Sequence, residues 1–170
     1  MKRRLLPVLA LALLAASCDR FGGSKPDEAA APAAQQAYRH ALSGDVSGEY
    51  RPLQPVQLGD AELESIFVGQ VSALKAWEEG KGGASPVTVT FKTAQGAVRV
   101  GPESYQITDD VFRFSGVSAG GQTVAFVGKL DQGDLATARR NLGDQTAVLT
   151  GTLTVGKTGI PVRLGLWGGD

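Results

Sequence analysis

The sequence has one cysteine, one histidine and no excess of either charge, and each scarcity removes a class of function. A single thiol has no internal partner, so no disulfide framework staples the fold. With His40 and Cys18 as the sole imidazole and thiol, a metal centre built on nitrogen and sulfur lacks its ligands. Lysine plus arginine equals aspartate plus glutamate at 17 each, so nothing in the balance tracks a phosphate backbone and nucleic acid is excluded as a partner. The leading apolar run, residues 5–16, reaches only ~18 Å at ~1.5 Å per helical residue, against a hydrocarbon core of ~30 Å. It is too short for a lasting transmembrane helix. No repeat of 20 to 50 residues is present, which excludes a solenoid or a propeller.

Glycine is what the chain has in excess. Its 23 occurrences in 170 residues are about twice the average usage of ~7%, and they suit many turns and bulges. The length accommodates one main domain with a real core.

The amino terminus has three parts in order: Lys2, Arg3 and Arg4, then the apolar run, then Ala15, Ala16 and Ser17 directly before Cys18. This is the layout of a secretory signal. The stretch Ala15-Ala16-Ser17-Cys18 resembles the lipobox of bacterial lipoproteins, with Ala15 where that family prefers leucine. The resemblance implies cleavage before Cys18 and acylation of that sulfur, an anchor worth ~0.8 kcal/mol per buried methylene. The plainer alternative is an ordinary cleaved signal that leaves Cys18 as a spare thiol. Asp19 is similar to the inner-membrane retention signal of enteric bacteria, which implies the inner over the outer membrane and a periplasm-facing domain. Removing residues 1–17 deletes three basic residues and no acid, leaving 14 against 17. An acidic mature chain gains little from an anionic lipid surface, so the lipid itself must hold it.

Residues 18–33 read as the lipidated cysteine and a flexible Gly/Ala/Pro tether. Residues 34–57 read as a short helix, carried by Ala34, Ala37, Tyr38, Ala41 and Leu42, followed by a turn-rich connector. Residues 58–170 read as the globular domain. Within it Leu63, Ile66, Phe67, Val71, Leu74 and Trp77 share a helical arc, which predicts a helix over 60–79 with Glu62 and Glu64 in its first turn. The β-rich Ser65-Ile66-Phe67-Val68 keeps a strand beginning near 66 open. From Pro86 the apolar period becomes two, giving strand pairs over 86–101, 111–130 and 146–167. Leu135, Ala138 and Leu142 mark a further helix before Gly143. The expected fold is α+β: an antiparallel sheet of about six strands with one or two packed helices. A mainly β, lipocalin-like barrel is the alternative.

Three motifs invite chemistry. Residues 151–158, GTLTVGKT, match the Walker A pattern, but a phosphate-binding loop must leave a strand, curl, and feed a helix. Thr152, Thr154 and Val155 prefer to stay extended, and Pro161 opposes a following helix. A hairpin turning at 156–159 is expected, with Leu149, Gly151, Leu153 and Val155 facing Ile160, Val162, Leu164 and Leu166; no nucleotide is called for. Residues 116–120, GVSAG, match the nucleophile elbow around Ser118, yet a strand follows it and His40 lies upstream, so Ser118 reads as a turn residue. His40 itself reads as a solvated residue near a helix C-terminus. Asp109 and Asp110 read as a turn pair or half of a carboxylate site, and Trp77 and Trp167 as core margin or pocket lining. Gly151, Leu153, Thr154, Pro161 and Val162 have the spacing of a segment in YceI-like lipocalin-type periplasmic proteins. That resemblance implies a barrel enclosing an apolar ligand.

Together these features describe a lipid-anchored envelope protein whose domain binds or assembles without catalysis and without a cofactor, its partner an envelope protein. The alternative is a carrier of a small apolar ligand inside a closed sheet. A carboxylate enzyme using Asp109 or Asp110 is a third reading.

Overall fold

The computed structural model describes residues 37–141 and 143–169. The signal (1–17), the tether (18–33) with Cys18 and Asp19, residues 34–36 of the expected first helix, and Leu142 lie outside the described residues. Eleven strands follow one another as β1 (Tyr38–Ala41), β2 (Gly48–Pro52), β3 (Gln57–Leu58), β4 (Ala61–Val68), β5 (Val87–Thr93), β6 (Gly96–Val100), β7 (Ser104–Thr108), β8 (Val111–Val117), β9 (Thr123–Leu130), β10 (Leu149–Val155) and β11 (Thr158–Leu166). Helix α1 (Val71–Glu78) lies between β4 and β5, and α2 (Gln132–Arg140) between β9 and β10. The α+β expectation is thus corrected: with 51% strand and 14% helix, the protein is mainly β.

All the strands belong to one sheet in the order β1-β7-β8-β9-β10-β11-β2-β4-β5-β6, with β3 paired to β4. From β7 to β11 and again from β4 to β6, chain neighbours are sheet neighbours, and β11 returns to pair with β2. The sheet curls strongly into a half-barrel. Its ends are β1 and β6: β6 pairs with β5, while β7, which follows β6 in sequence, lies between β1 and β8. Because β1 runs parallel to β7, with Tyr38 opposite Tyr105, the sheet is mixed and not purely antiparallel.

Two expected helices give way to strands, each for a physical reason. The 60–79 arc is misleading because β4 contains a bulge between Leu63 and Ser65. The bulge spends an extra residue, so buried Leu63 and Ile66 fall three apart on one face of a strand and imitate helical spacing. Gly69 ends this strand, and only Val71–Glu78 is helical. The 34–42 helix is replaced at 38–41 by β1, whose half-buried Tyr38 and His40 alternate with exposed Arg39 and Ala41. A helix that short is marginal in isolation, and the open edge of β7 offers its backbone a ladder of partners instead.

The hairpins expected over 86–101, 111–130 and 146–167 are β5–β6, β8–β9 and β10–β11. Helix α2 forms where the 135/138 stripe placed it, burying Leu135 and Ala138; at its start the Asp134 N–H donates to the Asp131 carboxylate at 2.9 Å. Inward side chains fill the curl: Phe112 and Phe126 meet edge-on at 5.5 Å, and Tyr50, Ile107 and Leu153 are fully buried beside them. Gly128 and Gly151 face each other across β9 and β10, and the Phe126 ring covers the space their missing side chains leave. Such glycines let a sheet bend sharply without colliding side chains.

Candidate functional site

The strand register brings the turns at 59–60, 94–95, 118–122 and 156–157 to one end of the half-barrel, while both helices lie toward the other. At the turn-bearing end the side chains of Leu58, Ala61, Phe91, Val98, Val124 and Val155 surround a cleft of about 260 Å³. They are inward residues at or near the turn-bearing ends of their strands; Phe91 and Val124 are buried, while Leu58, Ala61, Val98 and Val155 are half-buried. The polar groups on the rim are engaged locally. Thr93 Oγ1 donates to the Gly96 carbonyl at 2.8 Å, and Ser118 Oγ accepts from the Gln122 N–H at 3.2 Å. What remains is an apolar bowl under the turn Ser118–Gln122, which contains Gly120 and positive-φ Gly121.

The bowl is shallow. Below it the interior holds the buried side chains of Phe112, Phe126 and Leu153, each no more than 1% exposed. The helical end is closed by α1, whose Leu74 is fully buried and accepts a hydrogen bond from the buried Tyr105 O–H at 3.3 Å. Burial raises the Tyr105 phenol well above the ordinary tyrosine range, and the neighbouring Glu78 carboxylate adds to that. Burial raises Tyr50 similarly; its O–H donates to the Val46 carbonyl at 2.6 Å.

The residues singled out from sequence are scattered. His40 is not on a helix: it sits half-buried on β1, with Nδ1 2.9 Å from both carboxylate oxygens of Glu78 on α1. Ser118 turns β8 into β9 at the opposite end, so no Ser-His pair forms. Asp109 caps a connection, accepting from the Ser43 N–H at 2.9 Å, and Asp110 lines a separate polar cleft near Asp131 and Asp134. Among the described residues no three acidic, histidine or cysteine side chains are placed to hold a metal ion. The Walker-like segment is the β10–β11 hairpin with Leu149 opposite Leu164, Gly151 opposite Val162 and Leu153 opposite Ile160; Lys157 stands exposed in its turn beside Gly156 at φ 59°. Trp77 packs edge-on against Tyr38 at 6.1 Å, and Trp167 carries the Arg51 guanidinium 3.5 Å from its ring centre. Neither lines the apolar bowl.

Sequence reasoning missed the bowl. Its residues come from separate hairpins and share no motif; the available signal was the strand alternation, which marks Val98, Val124 and Val155 as inward but not which of them lie uncovered. Among the described residues no helix is long and apolar enough to cross a membrane. No protein family, curated protein or solved structure matches the chain.

Proposed function

We propose that this is a lipid-anchored envelope protein whose half-barrel binds a small apolar ligand at its open end, without catalysis. The observation that supports the binding reading is the apolar bowl of about 260 Å³ at the turn-bearing rim. An apolar cavity of ~150 Å³ holds benzene, so this bowl suits a ligand of about two rings or the end of an acyl chain. Burial of each methylene is worth ~0.8 kcal/mol, which for a short chain gives affinities in the millimolar to micromolar range. The anchoring reading is supported by Lys2-Arg3-Arg4, the apolar run and Ala15-Ala16-Ser17-Cys18. Acylated Cys18 would hold the domain at the periplasmic side of the membrane, where apolar ligands are abundant and water-soluble ones need no such pocket.

Fluorescence titration with N-phenylnaphthylamine tests the binding. The wild-type protein should take up the probe saturably. Ala119→Trp, which fills the bowl from an exposed turn, and Val98→Trp should each weaken uptake about tenfold or more. Undiminished uptake in both variants, or none in the wild type, would remove the proposal.

A further inference from the structure

A groove larger than the apolar bowl lies away from the rim. It lies on the outer face of β2, β4, β5 and β6 and measures about 670 Å³, within the range of sites that take small molecules. Register builds it in two rows across the strands. Glu49, Phe67 and Thr88 stand opposite one another in the first, and Ser65, Thr90 and Arg99 in the second. Arg51 and Trp167 close one end; Ser85 and Gly101 line the other margin. The β4 bulge that disguised the strand also turns exposed Glu64 into this groove, and bulges commonly re-aim a side chain toward a site. From β11 to β6 the platform crosses five strands, about 19 Å at ~4.8 Å per spacing.

The chemistry of the groove narrows its ligand. Its centre is Phe67, an outward aromatic 42% exposed on a strand whose other face is core. The charges cancel: Arg51 is paired with Glu49 at 2.9 Å, while Glu64 and Arg99 carry no ion pair among the described residues. Two cations against two anions attract neither a polyanion nor a polycation. An exposed aromatic ring, hydroxyls at Thr88 and Thr90, and a carboxylate and a guanidinium not paired with one another are instead what a polyhydroxylated ligand uses. Its C–H face lies on the ring, and its vicinal hydroxyls both donate to a carboxylate and accept from an arginine fork.

We propose that this outer face is a second binding site, independent of the apolar bowl, and that it takes a neutral oligosaccharide laid across the strands with a sugar ring on Phe67 and its hydroxyls between Glu64 and Arg99. Isothermal titration of the full chain with maltotetraose and with tetra-N-acetylchitotetraose is the test. At least one of the two should give a saturable heat, weakened about tenfold by Phe67→Ala and by Arg99→Ala. Thr88→Val, which removes one hydroxyl and keeps the strand shape, should weaken it less but measurably. Val117→Ala, at an exposed apolar residue of β8, and the bowl-filling Ala119→Trp should leave it unchanged. Absence of saturable heat with both sugars, retention of full affinity in folded Phe67→Ala, or saturable binding of tetraglutamate or tetralysine in their place would overturn the proposal.

Discussion

Replacing Gly128 by alanine should destabilise the protein, and the sign is informative because propensity alone points the other way. Gly128 does not adopt positive φ, and at such positions Gly→Ala usually stabilises by about 0.4–1 kcal/mol through the unfolded chain. Here a Cβ would collide with the Thr150 carbonyl oxygen and stand 2.5 Å from Phe126 Cζ. The carbonyl belongs to the ladder between β9 and β10 and cannot rotate away. Overpacking of this kind costs about 1–3 kcal/mol or more, so a net loss of about 2 kcal/mol is expected. For a domain of this size that lowers Tm by about 7 °C. Gly44→Ala is the matched control: the nearest heavy atom to its added carbon is Gln132 Oε1 at 4.0 Å, and its stability should equal or slightly exceed that of the wild type. Thermal melts followed by circular dichroism, with urea titrations to check that m is unchanged, read both variants. If Gly128→Ala melts at or above the wild type, the argument that the facing glycines are needed for the sheet's curl is refuted.

Other outcomes follow from single contacts. Tyr50→Phe strands the buried Val46 carbonyl and should cost about 1–2 kcal/mol near neutral pH. Burial raises the Tyr50 pKa in the folded state, so its contribution is complete below the unfolded value of about 10 and is lost as pH rises beyond it; the variant should therefore lose stability less steeply on the alkaline side, as urea titrations at about pH 7 and pH 11 will register. Asp131→Ala removes the acceptor for the Asp134 N–H at the start of α2 and should cost about 1 kcal/mol, measurable by urea unfolding. Cys18→Ser should move the protein from the membrane fraction to the soluble fraction, and mass spectrometry of the wild-type amino terminus should show acylated Cys18; a serine variant that remains in the bilayer fraction would defeat the anchoring reading.

Strand alternation after Pro86 is plain in the sequence because each hairpin buries one face and exposes the other, so β5, β6 and β8 through β11 need only the period, whereas the short β7 (Ser104–Thr108) is not read as a strand. The β10–β11 hairpin was legible through the same reasoning that set aside its nucleotide-binding motif: extended residues before the turn and Pro161 after it. Leu63 and Ile66 deceived because a bulge is a tertiary choice, made when β4 must match β5. Tyr38–Ala41 deceived because its strand exists only by grace of the β7 edge, 60-odd residues away in the chain, which no local pattern reports. The two clefts were less legible still. Val98 and Val155 read as ordinary core positions until the end of the sheet leaves them half-covered, and Phe67 reads as one more apolar residue on a helical face until register sets it between Glu49 and Thr88.

The most direct test of ligand binding at the open end is amide chemical-shift mapping of the protein titrated with sodium octanoate. The proposal predicts saturable shifts concentrated at Leu58, Ala61, Val98, Val155 and the turn from Ser118 to Gln122, with α1 and β1 unmoved. Shifts centred on α1 or on the outer face around Phe67, or none that saturate, would contradict it.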